Sequence, residues 1–296
     1  MLETPHPLTL QTLLTSHANT SALRSGQLQS PLVNFVFADI KPANRGFKPL
    51  VREQKFDLGE LAIVTFLQAK TYGNPYVLMP AVVVARGQHH TIFFNPQRGH
   101  LNPGDLNGRR VGVRAYTQTT GAWVRGFLQE DYGVDVRTIQ WITFEDPHVA
   151  EYADPSWVQR APEGKQLLQM LIDGEIDAAI FGSENPEGTP LKPLIPNAAE
   201  VAARWAQKHG GAPINHMMVI KESITQTRPD VVREVYRLLK ESAAAAPAKE
   251  TSALRFGVES VRKSLETIIQ YAEGQNLIPR RFSVDELFND VTRSLD

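Results

Sequence analysis

The residues whose types and spacing first suggest chemistry lie between Arg109 and Tyr132. A buried strand there breaks through a hydroxyl-rich turn, Tyr116-Thr117-Gln118-Thr119-Thr120, straight into an amphipathic helix. The first N–H groups of a helix lack intrahelical partners and carry partial positive charge, so Thr117, Thr119 and Thr120 would surround a natural position for a carboxylate or phosphate. The plainer alternative is helix capping by threonine alone. A second turn, Gly182-Ser183, closes the later strand Ile176–Phe181 and joins Tyr116 and the threonines as a substrate-binding candidate.

Other chemistries are excluded by composition or by missing motifs. There is no cysteine, which removes disulfides, thiolate nucleophiles and zinc–thiolate centres. No Walker loop, dinucleotide fingerprint or Gly-x-Ser-x-Gly elbow is present, so the glycines read as punctuation. With 31 basic and 32 acidic residues the net charge is −1, and no bulk field draws the chain to nucleic acid or an anionic membrane. Any anion site must therefore be local.

The elements that must position these residues alternate. Leu32–Phe37 reads as a strand, followed by a helix from Gly59 to Lys70 with Asp57 and Glu60 as acids near its start. Tyr76–Ala85 is a continuous apolar run, as in a strand covered on both faces, and Thr91–Phe94 is another strand. Asn-Pro signals then open a short helix ending near Gly108. The central third repeats strand and helix: Val111–Val113, a helix carrying Trp123, Val124, Phe127 and Leu128 that ends at Gly133, strand Ile139–Phe144, a helix around Leu167–Ile172 that stops at Gly174, and Ile176–Phe181. Such alternation argues for parallel strands with crossover helices. Asp146–Gly164 reads as a long connection that could act as a mobile flap, Met217–Ile220 as a short strand, and Pro229–Leu239 as a strong helix. Ala243–Ala248 reads as surface or linker, and no internal repeat is visible.

Several stretches carry a family likeness. Phe56-Asp57-Leu58-Gly59-Glu60-Leu61, Arg110-Val111-Gly112-Val113 with Tyr116 and Thr119, Trp123-Val124-Arg125-Gly126, Gly174-Glu175-Ile176-Asp177-Ala178, and Pro213-Ile214-Asn215-His216 with Val219-Ile220 resemble the 4,5-dihydroxyphthalate decarboxylase family. The resemblance runs from about Leu10 to the carboxyl terminus. It implies an α/β type 2 periplasmic-binding-protein-like fold: two lobes, mixed sheets flanked by helices, and an interlobe cleft for the ligand. The expected division is 1–94 for the first part of lobe 1, 95–214 for lobe 2, and 215–296 for the return to lobe 1 with the C-terminal helices.

The resemblance also places candidate residues. The family histidine after the first strand is matched by His17, its Ala-Glu-Leu acid by Glu60, its Arg and His before the crossing strand by Arg86 and His90, and the histidine of the returning strand by His216. Where the family has His-Tyr-Asp-Arg, this chain has His17-Ala18-Asn19-Thr20, which removes a carboxylate and a guanidinium and leaves Asn19 as the substrate-binding candidate of that loop. An aromatic acid that loses carbon dioxide must first take a proton on the carboxyl-bearing carbon, with an ortho or para hydroxyl supplying electrons. His90 or His216 could deliver that proton, while Glu60 orients an imidazole or takes the phenolic proton. Arg86 can hold a carboxylate with a bidentate fork, and the Thr117–Thr120 turn can seat a second.

Each assignment has a structural rival. His89, His100, His148 and His209 read as structural, Trp123 as core, Arg125 as a residue that pairs on the helix surface, and Glu60 as a complement to a helix dipole. His17, His90, His216 and Glu60 would form a nitrogen and oxygen ligand set, but none shows the helical i, i+4 spacing of a metal motif, so neither metal nor cofactor is expected. The residues and the family likeness together point to a decarboxylase acting on a hydroxylated, phthalate-type aromatic carboxylate. The alternative is a non-catalytic receptor that captures a small carboxylate. The expected partner is that small molecule, with no nucleic acid and no membrane insertion, and self-association stays open. The amino terminus shows no signal peptide, so a cytoplasmic location is expected, or a periplasmic one if a leader has been removed upstream of Met1.

Overall fold

The computed structural model describes residues 6–182 and 186–296. Among them the strands, in chain order, are β1 (Leu8–Leu13), β2 (Val33–Phe37), β3 (Leu58–Ala62), β4 (Tyr76–Ala85), β5 (Ile92–Phe94), β6 (Arg110–Val113), β7 (Gln140–Thr143), β8 (Val158–Arg160), β9 (Ala178–Ile180), β10 (Lys192–Pro193) and β11 (Ile214–Lys221). The chain divides into two compact units, one of residues 1–86, 214–266 and 282–296, the other of residues 87–213 and 267–281. No helix among the described residues is long and apolar enough to cross a membrane.

The first unit is built on a sheet in the order β2-β1-β3-β11-β4. β1 runs parallel to β2 and β3, while β11 runs antiparallel to both β3 and β4, so β1, β3 and β4 all end at the same edge. The apolar run of β4 is explained by burial, since its first eight residues are all buried. Helix Pro229–Ala244 opens on proline at its first position and buries Val231, Val232, Val235, Tyr236, Leu238 and Leu239, spaced to form one stripe. These pack with Leu10, Leu14, Leu58, Met79, Val83 and Met218 into one core, each large apolar side chain contributing about 1.5–3 kcal/mol on removal from water.

The second unit holds a sheet in the order β10-β5-β9-β6-β7-β8. β9, β6, β7 and β8 are parallel, and β5 and β10 join antiparallel. Both sheets are thus mixed, as the family likeness implies. The helix Thr119–Tyr132 ends where Gly133 adopts a left-handed φ of 66°. Gly174 closes the helix Leu167–Asp173 in the same way at φ 77°.

Four local readings change. Gly59 to Lys70 is not one helix: Leu58–Ala62 is a fully buried strand and the helix begins at Ile63. Asp57 therefore complements no helix dipole; its carboxylate accepts the Gln11 backbone N–H and pairs with Lys221, fastening β1, β3 and β11 together. The connection Asp146–Gly164 is not a free flap along its length, because β8 pairs with β7 within it. The expected linker Ala243–Ala248 starts inside the helix Pro229–Ala244, with Ala243 buried. The short helix after Asn95 resolves into two 3-10 turns, Pro96–Arg98 and Pro103–Leu106.

Candidate active site

Strands that end together bring their following residues together, and ligand sites of open α/β sheets lie outside the carboxyl ends of the strands. In the first unit that edge carries Thr15 and His17 after β1, Glu60 near the end of β3, Arg86 after β4, and His216 near the start of antiparallel β11. His216 lies opposite Ala62, and Met218 opposite Glu60. Side chains two apart share a face, so His216 and Glu60 are diagonal neighbours on one side of the sheet.

Glu60 is fully buried, which for an acid demands partners. The Thr15 hydroxyl donates to its Oε1 at 2.6 Å, and His17 Nε2 lies 3.0 Å from its Oε2. Because the Thr15 proton is spent on Glu60, its oxygen accepts from His17 Nε2, 2.9 Å away, and this places the imidazole proton on Nε2. Burial alone would push the Glu60 carboxyl up. The hydrogen bond from His17, the charges of His216 and His17, and the Thr15 hydroxyl together hold it below the usual carboxylate range. Glu60 is therefore an ionised carboxylate flanked by two imidazoles.

The surroundings fix those rings. The His17 backbone N–H donates to Thr20 Oγ1, whose hydroxyl donates to the Thr15 carbonyl at 2.8 Å, so the loop between them is closed on itself. The Phe47 ring meets His216 edge to face at 5.3 Å. Asn19 is nearly buried and its amide donates to the Val83 carbonyl at 3.2 Å, so that donor ties the loop to β4. Arg86 is half-buried, and its Nε has no hydrogen-bond partner among the described residues. Burial lowers its proton affinity, yet a guanidinium remains charged.

The other candidates belong to the second unit. His90 sits in the 3-10 turn His89–Thr91 that leads into β5. Its neighbour His89 is fully buried against the Phe127 ring at 3.9 Å, and burial first, then the charge of His90, pushes its imidazole down to about 4. Thr117, Thr119 and Thr120 are buried around the start of helix Thr119–Tyr132, at the carboxyl end of β6. None of the three is the N-cap, which is Gln118, and the Gln118 side chain makes no capping hydrogen bond. Gly182, after the parallel β9, has φ 94°, a conformation that favours glycine, and the position a Cβ would take there is 2.7 Å from the movable end of the Gln118 side chain. Ser183 lies outside the described residues.

Tyr116 and Arg125 are both fully buried. The Tyr116 hydroxyl donates to the Gln275 carbonyl at 3.2 Å and accepts from Trp157 Nε1 at 3.2 Å. Arg125 corrects the surface expectation: its Nε donates to Gln275 Oε1 and its Nη2 to the Tyr116 carbonyl, each at 2.7 Å. Helix periodicity sets Arg125 off the face of Trp123, Val124, Phe127 and Leu128, and only the fold buries it and supplies its acceptors. Thr15 and Phe47 were missed because neither has a local signal; they matter only once β1 and β3 are adjacent. A cavity of about 290 Å³ lined by Phe94, Arg98, His100, Arg109 and Ile176 lies at the opposite, amino-terminal edge of the second sheet, away from these turns. Among the described residues no group of three or more acid or histidine side chains is arranged to hold a metal ion.

No family model matches the chain. It is 30% identical over 258 residues to a 4,5-dihydroxyphthalate decarboxylase of Comamonas testosteroni, covering 82% of this chain and 78% of that protein. It is 29% identical over 181 residues to one of Pseudomonas putida, covering 58% of this chain and 70% of the relative. Among solved structures, the periplasmic aliphatic sulphonate binding protein of Escherichia coli superposes with a TM-score of 0.60 at 12% identity, over 97% of this chain and 93% of that one. That likeness establishes a two-lobed periplasmic-binding-protein-like α/β fold and nothing of its chemistry. The likeness to the Comamonas protein settles kinship: the chain belongs to the 4,5-dihydroxyphthalate decarboxylase family.

Proposed function

We propose that the protein is a carboxy-lyase that removes carbon dioxide from a hydroxylated, phthalate-type aromatic carboxylate. The observation that carries this reading is the buried, ionised Glu60 held between His17 and His216. A receptor needs donors that complement a carboxylate; it has no use for a buried acid whose charge is set by two imidazoles.

Each residue then has a part. His216 gives its proton to the ring carbon that bears the carboxylate. His17, oriented by Glu60 and Thr15, takes the proton of a hydroxyl para or ortho to that carbon, and the oxygen electrons move into the ring. The carbon–carbon bond then breaks, carbon dioxide leaves, its bonding pair restores the aromatic ring, and the hydroxyl recovers its proton from His17. One proton is consumed overall, and water restores it to His216. Glu60 is the fixed counter-charge to whichever imidazole is protonated, a term worth most where water is excluded. Arg86, with an uncommitted Nε, holds a carboxylate. Within the second unit, the turn Thr117–Thr120 with Gly182 seats a carboxylate at the start of helix Thr119–Tyr132, where the first backbone N–H groups carry partial positive charge.

The test is carbon dioxide release from 4,5-dihydroxyphthalate by the purified protein, repeated with His216→Ala. Turnover that falls by about 100-fold or more in the variant supports the assignment, in line with the loss of a general acid. Saturable binding with no carbon dioxide released by the unaltered protein overturns it.

A further inference from the structure

Arg125 is an unusual residue for the interior of the second unit. It is fully buried, yet among the described residues its hydrogen bonds go to neutral acceptors, the Tyr116 carbonyl and Gln275 Oε1. Its guanidinium lies over the Tyr116 ring at 4.0 Å and the Trp141 ring at 5.2 Å, two further neutral groups. Its Nη1 has no hydrogen-bond partner among the described residues and sits 3.2 Å from where a Cβ would stand on Gly121, in the first turn of helix Thr119–Tyr132. The carboxylate whose field reaches it, Asp154, makes no hydrogen bond to it among the described residues, and its own Oδ1 is buried without a partner. Burial pushes the Asp154 carboxyl up, against the pull of Arg125 and Arg160.

A buried charge that is not paired is costly, and proteins keep such groups where their field acts on something. Here the field emerges at one place. Nη2 holds the carbonyl immediately before Thr117, and Nη1 lies beneath the first turn, so the cation stands directly behind the hydroxyl-rich helix start. Gln275 locks it from the other side: its Nε2 donates to the Ala122 carbonyl at 2.9 Å while its Oε1 receives Arg125.

We propose that Arg125 is a positioning residue that charges the Thr117–Thr120 seat from behind and makes it selective for a fully ionised carboxylate. It does not touch the ligand. It fixes the turn through the Tyr116 carbonyl and adds a permanent positive charge to the partial charge of the helix start, in surroundings too dry to screen it. This rests on the reading above that the turn seats a carboxylate.

The test pairs a change in the protein with a change in the ligand. Phthalate has no ring hydroxyl and cannot be turned over, and phthalamate is the same molecule with one carboxylate made a neutral amide. Calorimetry on the whole protein should show phthalate binding more tightly than phthalamate. In Arg125→Gln, phthalate should lose about tenfold in affinity while phthalamate moves by less than about twofold, and Arg125→Lys should recover part of the preference. Equal losses for both ligands, or no loss for phthalate, overturn the proposal. A second measurement needs no variant: the Arg125 Nε–H resonance should shift on adding phthalate and stay in place with phthalamate, and identical behaviour with both ligands overturns it equally. If the unaltered protein fails to prefer phthalate, the seat itself is absent. Carbon dioxide release from 4,5-dihydroxyphthalate would then still stand on the residues of the first unit.

Discussion

Glu60 keeps its charge because of what surrounds it rather than because of its own type. A carboxylate in a dry sheet interior would ordinarily take up a proton, but two imidazoles and a hydroxyl reverse that tendency. The pH consequence has a definite sign. Its folded value is depressed, so its stabilising contribution is complete above the unfolded glutamate value of about 4.3 and is lost as pH falls through the lower folded one. Glu60→Gln is therefore expected to lower stability by about 1–3 kcal/mol at neutral pH, through partners left unsatisfied. That difference should shrink only below about pH 4, as read from denaturant unfolding of both proteins across pH. Carbon dioxide release by the variant should fall with it. An unchanged rate would separate Glu60 from the chemistry.

At the level of elements, the sequence was read correctly wherever periodicity and punctuation act locally. Gly133 and Gly174 end helices at left-handed φ as their positions imply, and the helix from Pro229 begins where its proline stands. From sequence alone β3 looks like a helix start because acids at Asp57 and Glu60 mimic helix amino-terminal chemistry, while their real partners, Gln11, Lys221, His17 and His216, are remote in sequence. The same limit hid Arg125, whose acceptor Gln275 comes from near the other end of the chain. His17, Glu60 and His216 were legible as a set only through the family likeness, since no spacing rule joins them. A Cβ on Gly126 would fall within the Tyr271 ring, whose hydroxyl donates to Glu130. Gly126→Ala should destabilise the protein by about 1–3 kcal/mol although alanine favours a helix, and in the background of Tyr271→Ala the same substitution should cost far less. Thermal unfolding of the four proteins checks this, and equal costs in both backgrounds would refute it.

For the molecule as a whole, the chain passes between its units at 86/87, 213/214, 266/267 and 281/282, so neither unit is one continuous piece. The short return segment 267–281 supplies what the longer one lacks. Gln275 receives Arg125 Nε and the Tyr116 hydroxyl, and Asn276 receives the Tyr152 hydroxyl. A fragment of residues 87–213 would leave these three donors without acceptors, at about 1–3 kcal/mol each. It should show secondary structure in far-ultraviolet circular dichroism with weak near-ultraviolet signals and exposed apolar surface, and a peptide spanning 258–281 should restore the packing. A fully native spectrum from the fragment alone would show that the return segment is dispensable.

The four tryptophans, Trp123, Trp141, Trp157 and Trp205, all belong to the second unit, and all but Trp157 are buried there. Intrinsic tryptophan emission is consequently a private reporter of that unit. Light excited selectively in indole sees the surroundings of Arg125 and is blind to Glu60 and its imidazoles. Any optical record of unfolding or of ligand arrival taken by this signal alone describes half of the protein, and a tyrosine or amide signal must be collected beside it to follow the other half.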